Sequence, residues 1–80
     1  MMIIEVDGYF KQAILHTKEN YSLEEIEQIY LDLKTKVELI DEIPKLLCKD
    51  YNMIEIDKNI VNKVDIVIDT DTDRTYKPYY

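Results

Sequence analysis

The segment SLEEIEQIYLDLKTKV, residues 22–37, places Leu23, Ile26, Tyr30, Leu33 and Val37 at helical spacing, with Ile29 widening the stripe. Glu24, Glu25, Gln28, Asp32 and Thr35 fall on the opposite side. Lys34 and Lys36 lie near the end, where the helix dipole favours cations. Ser22 with Glu25 three residues later makes a capping box. The spacing therefore predicts a helix from about residue 23 to about residue 37. Such a helix has one apolar stripe and must bury it against another layer. Most of the other apolar residues alternate with a period of two, the period of strands, so that layer is expected to be a sheet.

MMIIEVDGYFKQAILHT supplies the first two strands. Asp7-Gly8 stands between two apolar runs, and Gly8 is the only glycine in the chain. Asp-Gly is a strong hairpin signal, because a type I′ turn needs positive φ at both central residues. This predicts a turn at Asp7-Gly8, with Val6 opposite Tyr9, Ile4 opposite Lys11 and Met2 opposite Ala13. One face then carries Ile4, Val6, Tyr9, Ala13 and Leu15. The other carries Ile3, Phe10, Gln12, Ile14 and His16. Both faces are partly apolar, so either the sheet is covered on both sides or one face is an interface.

DEIPKLLCKDYN reads as a short second helix, with Pro44 in its first turn and Asn52 as a left-handed stop. MIEID, 53–57, reads as a short strand and KNIVNK as a polar connector. VDIVIDT, 64–70, reads as a strand with Val64, Ile66 and Ile68 on one face. The expected fold is a single α+β domain over residues 1–70. Its small antiparallel sheet, the N-terminal hairpin plus C-terminal strands, packs against one long helix and a short helix. Residues 71–80 carry no core signal and are expected to form an acidic, tyrosine-rich tail.

With 80 residues, one Cys and one His, the chain offers no intrachain disulfide and no thiolate or imidazole zinc site. No cofactor is expected. The apolar fraction of 46% suits a folded domain. The net charge of −7, from 17 acids against 10 bases, opposes direct contact with nucleic acid or with anionic membranes. It fits a basic protein partner, or simple solubility. MMIIEV lacks the basic region of an export signal, and no apolar run is long enough to span a bilayer. With a free thiol, these features predict a cytoplasmic location. P-loop, G-x-G-x-x-G, G-x-S-x-G and H-E-x-x-H patterns are absent, and no motif orients Cys48 towards His16. The expectation is a binding module and not an enzyme.

The chain closes on IVIDTDTDRTYKPYY. Asp65, Asp69, Asp71 and Asp73 share a period of two, which on a continuing strand would set them on one face, successive carboxylates ~6.6 Å apart. A calcium loop of the D-x-D-x-D type fails: Arg74 stands where glycine is needed and Tyr80 where a bidentate glutamate belongs. Two readings remain. The carboxylates mimic the phosphates of a nucleic acid, extended by Glu24, Glu25 and Asp32 on the helix, or they are a solvated strand end that resists edge pairing. Tyr76, Tyr79 and Tyr80 suit an interface arm, because tyrosine adds contact area at low entropy cost. They equally suit a last strand tucked onto its own sheet.

The VDGYFKQAIL hairpin, the acidic helix SLEEIEQIYLDL and the strand end VIDTDTD together resemble small acidic inhibitors carried by phages and other mobile elements. These include uracil-DNA glycosylase inhibitors and several anti-CRISPR proteins. One glycosylase-inhibitor type looks similar locally, with a turn, an aromatic-rich strand and then a Ser-Leu helix bearing acids and a tyrosine. The resemblance covers roughly the first half of the chain and carries over no individual residue. It implies a stoichiometric inhibitor acting in the host cytoplasm, blocking a basic groove on a nucleic-acid-binding enzyme. The interface residues would be Glu24, Glu25, Asp32, Asp69, Asp71, Asp73, Tyr76, Tyr79 and Tyr80. The alternative is a small assembly protein, a homodimer formed through the hairpin or the C-terminal tail.

Overall fold

The computed structural model describes residues 1–78. Two antiparallel strands, β1 (Met2–Gly8) and β2 (Lys11–Thr17), lead into the helix α1 (Leu23–Lys36). A 3-10 turn, Ile40–Glu42, precedes the second helix α2 (Ile43–Asp50). Three short strands follow: β3 (Ile54–Ile56), β4 (Ile66–Asp69) and β5 (Arg74–Tyr76). A second 3-10 turn, Lys58–Ile60, lies between β3 and β4. The strands form one sheet in the order β3-β2-β1-β4-β5.

The helix begins as its sequence dictates. The Glu25 amide donates to Ser22 Oγ and the Ser22 amide donates to Glu25 Oε1, each at 3.1 Å. Ile26, Tyr30 and Leu33 are buried on its inner face. They meet Ile4, Val6, Leu15, Ile66 and Ile68 from the sheet, and Ile43 and Leu47 from α2. Pro44 sits in the first turn of α2, and Asn52 ends the helix in the left-handed region at φ 55°.

The sheet is mixed, not antiparallel. β4 lies parallel to β1, with Ile4 opposite Ile66 and Val6 opposite Ile68. The cause is topological. β3 pairs antiparallel to β2, so it already runs in the direction of β1. To reach the free edge of β1, the chain must cross the sheet, as any parallel connection must. The connector that reads as polar does this. Its Val61, with Val64 just beyond it, packs with Ile14, Val67, Ile3 and Ile56 in a second, smaller cluster. The apolar back face is thus covered by the chain itself over that patch. Val64 belongs to this cluster and not with Ile66 and Ile68, contrary to the expected alternation.

The hairpin turn also lies elsewhere than expected. Gly8 pairs with Lys11, Val6 with Ala13 and Ile4 with Leu15, so Tyr9 and Phe10 form the loop. Neither loop residue, nor Gly8, takes a positive φ. Gly8 is required for space. A Cβ there would stand 2.1 Å from Thr70 Oγ1. Thr70 donates to the Asp7 carbonyl through both its amide (2.7 Å) and its hydroxyl (2.9 Å), which holds it against Gly8. The register differs from the expected one by an even number of residues, so the inward and outward sets survive. Ile4, Val6, Ala13 and Leu15 are buried, but Tyr9, expected beside them on that face, lies at the exposed tip.

The segment expected as a tail carries β5, which pairs antiparallel with β4, Thr75 opposite Ile68 and Arg74 opposite Asp69.

Candidate functional site

The four alternating aspartates do not form one comb. Strand β4 stops at Asp69, and Thr70–Asp73 turn the chain into β5. The Asp69 carboxylate accepts from the amides of Asp71 (3.0 Å) and Thr72 (3.4 Å), an Asx-type turn that satisfies backbone donors locally. Asp73 takes a left-handed backbone at φ 60°, a conformation that aspartate tolerates better than most residues. Its carboxylate accepts from the Tyr30 hydroxyl at 2.8 Å and pairs with the Lys34 ammonium. Asp65 accepts from the Ile3 amide at 3.0 Å. Three of the four aspartates are therefore committed within the chain, and Asp71 is the one whose carboxylate is left to solvent.

The Tyr30–Asp73–Lys34 cluster ties α1 to the β4–β5 turn. The Lys34 ammonium, with the Tyr30 hydroxyl adding to it, holds the Asp73 carboxyl below the usual aspartate range. Burial, reinforced by the Asp73 charge, pushes the Tyr30 phenol well above its ordinary value. The Lys34 ammonium also stands 5.6 Å from the centre of the Tyr30 ring.

On the helix, Glu25 is occupied by the capping box, while Glu24 and Asp32 are exposed. Asp32 accepts a long hydrogen bond of 3.5 Å from Gln28. At 100° per residue it lies roughly 200° around the helix from both Tyr30 and Lys34. It thus points away from the β4–β5 turn, and the helix acid that shares a surface with that turn is Glu27, which lines a shallow depression with Thr72, Asp73 and Arg74. Tyr76 lies on β5 opposite Val67 and is partly exposed. Tyr79 and Tyr80 lie outside the described residues.

The most exposed aromatic side chains among the described residues are Tyr9 (81%) and Phe10 (88%). Their rings meet edge to face, with centres 4.4 Å apart and an interplanar angle of 85°. Beside them a cavity of ≈ 300 Å³ opens between the hairpin tip and the α1–α2 connection. Val6, Leu39, Ile40 and Pro44 supply its apolar lining, with Asp41, Asp71 and Lys11 also on its walls. The sequence reading missed this site because it placed the turn at Asp7-Gly8. The legible signal was the pair of bulky aromatics between two alternating runs whose faces stay the same when the turn moves by two residues.

Cys48 is half-buried on α2, and burial, with the charge of Glu55, pushes its thiol up. That is the reverse of the activation a nucleophilic cysteine needs. Among the described residues no group of three or more His, Cys, Asp or Glu side chains is placed to hold a metal ion. No helix among them is long and apolar enough to cross a membrane. What the surface offers is an aromatic tip, an apolar groove and acids around both. Comparison with protein-family models, curated proteins and solved structures returns no match to this chain.

Proposed function

We propose that this chain is a non-enzymatic inhibitor of a nucleic-acid-handling enzyme, such as a CRISPR nuclease or a DNA glycosylase, which it binds on a basic surface. One observation carries the reading. Among the described residues the ion pairs involve Asp73, Glu5 and Asp65, while Glu24, Asp32 and Asp71 face solvent in a chain of net charge −7. A protein with that excess steers towards basic partners and repels polyanions. The phosphate-like contacts then come from separated exposed acids, because Asp69 and Asp73 serve the turn.

The test is capture and inhibition. The full chain and a Glu24→Gln/Asp32→Asn/Asp71→Asn variant are compared for binding to, and inhibition of, basic nucleases and glycosylases at low and high ionic strength. These three positions leave the turn and the capping box intact. Stoichiometric inhibition that weakens with salt and is lost in the variant supports the reading. Inhibition equal at both ionic strengths and in both proteins removes the phosphate-mimic mechanism.

The homo-oligomer reading has its own support in the exposed Tyr9–Phe10 tip. Sedimentation equilibrium of the full chain decides it: a dimer that Tyr9→Ser/Phe10→Ser makes monomeric would replace the inhibitor reading.

A further inference from the structure

We infer that the groove between the hairpin tip and the α1–α2 connection receives one large apolar or aromatic side chain from a basic protein segment, whose flanking lysines or arginines meet Asp41 and Asp71. The inference rests on the reading above that the partner is basic, and it names the anchor point.

The fold makes no demand for two aromatics at the tip. Two-residue hairpin loops favour small polar residues and glycine, which fit the tight backbone. Tyr9 and Phe10 meet only edge to face and leave most of their area in water. Tyrosine and phenylalanine are among the residues that interface cores concentrate. The same edge of the molecule exposes two more apolar side chains, Leu39 (60%) and Ile40 (41%), on the opposite wall. Val6 and Pro44, both buried, also line it.

Size and charge select the occupant. At ≈ 300 Å³ the cavity is at the small end for small-molecule sites, and its lining is mostly apolar with Asp41, Asp71 and Lys11 among the residues around it. One large side chain suits it better. Asp41 and Asp71 outnumber Lys11 on its walls, and the chain as a whole carries −7. Lysine or arginine beside the anchor is therefore favoured over acid, and an arginine can also stack on the exposed faces of Tyr9 and Phe10. A second copy of this chain would bring the same negative charge against the same acids.

The probe is a short lysine- and arginine-rich peptide with one central tryptophan, titrated into the isotopically labelled full chain and followed by amide chemical shifts. Two control peptides replace the tryptophan by alanine or all the cations by glutamate. The expected result is saturable shifts at residues 9–11, 39–41 and 70–71. The alanine peptide should bind about tenfold more weakly, and the acidic peptide not at all. Tyr9→Ser/Phe10→Ser, at exposed positions, should weaken the tryptophan peptide by a similar factor while the circular-dichroism melt stays the same. Equal affinity for the alanine peptide, or shifts confined to the exposed face of α1, would overturn the inference. So would concentration-dependent shifts at these positions without peptide, which would make a second copy the occupant. If an enzyme is inhibited equally by the chain and the tip variant, the inhibitor reading stands and the groove falls. If the groove binds the probe but no nucleic-acid enzyme is inhibited, the reverse holds.

Discussion

The two hairpins of this protein end in opposite ways. The β4–β5 turn is all short polar side chains, and most of its polarity is used internally: Asp69 satisfies turn amides, Thr70 ties to the Asp7 carbonyl, and Asp73 ties to Tyr30 and Lys34. The β1–β2 tip is two aromatics whose area is mostly left in water. Residue chemistry alone suggests the reverse, with the acids as the outward-facing surface and the aromatics as core. A carboxylate beside a turn has unsatisfied amides within reach and will take them. An aromatic at a tip has nowhere to go. The side chains least needed by the fold are therefore at the aromatic tip, and Asp71 is the exception in the acidic one.

This contrast can be broken in order of expected effect. Leu33 is fully buried in the core that also holds Val6 of one hairpin and Ile68 of the other. Leu33→Ala should cost about 2–5 kcal/mol in urea unfolding and loosen both ends together, so a loss confined to one hairpin would show that they are separately stable units. Gly8→Ala acts where the two hairpins touch. Its methyl meets Thr70 Oγ1, and the expected loss is about 1–3 kcal/mol. Adding Thr70→Ala removes the opposing hydroxyl and should recover part of it, so a double-mutant cycle with no coupling would break the account of Gly8.

Tyr30→Phe removes one donor to Asp73 and should cost about 0.5–1.5 kcal/mol at neutral pH. The pH dependence separates the two partners. The folded carboxyl of Asp73 titrates below its unfolded value, so its contribution is in place above about pH 4 and is lost as pH falls through the lowered value. The Tyr30 phenol titrates above its unfolded value, so its contribution is in place below about pH 10 and is lost as pH climbs beyond. Asp73→Asn should flatten the acid limb of Tm against pH, and Tyr30→Phe the alkaline limb. If neither limb changes, the cluster does not couple α1 to the turn. At the small end, Tyr9→Ser and Phe10→Ser should each change stability by no more than about 0.5 kcal/mol. A larger loss would mean that the tip belongs to the fold after all.

What was legible in the sequence was local. The Ser22–Glu25 box, the stripe from Leu23 to Leu33, Pro44 at a helix start and Asn52 at a helix end all depend on neighbours within a few residues. The sorting of β1 and β2 into faces was legible as well, since an even register shift preserves it. What escaped depends on distant partners. The need for glycine at position 8 follows from Thr70, 62 positions along the chain. The fate of Asp73 follows from Tyr30, 43 residues away. The parallel β4 follows from where the chain must go after β3, which no local pattern encodes. Of the candidate site, the acids were legible as residues but not as roles, and the aromatic tip was hidden by a turn placed two residues early.

The central place of β1 has a consequence for how the protein is made. β1 leaves the ribosome long before β4, its partner on one side. Until residues 66–69 emerge, the nascent chain can form the β1–β2 hairpin but holds one edge of β1 open. Ile4 and Val6 stand on that strand with part of their packing still unmade. A chain arrested before Ile66 would present a sticky strand edge to chaperones and to its own copies.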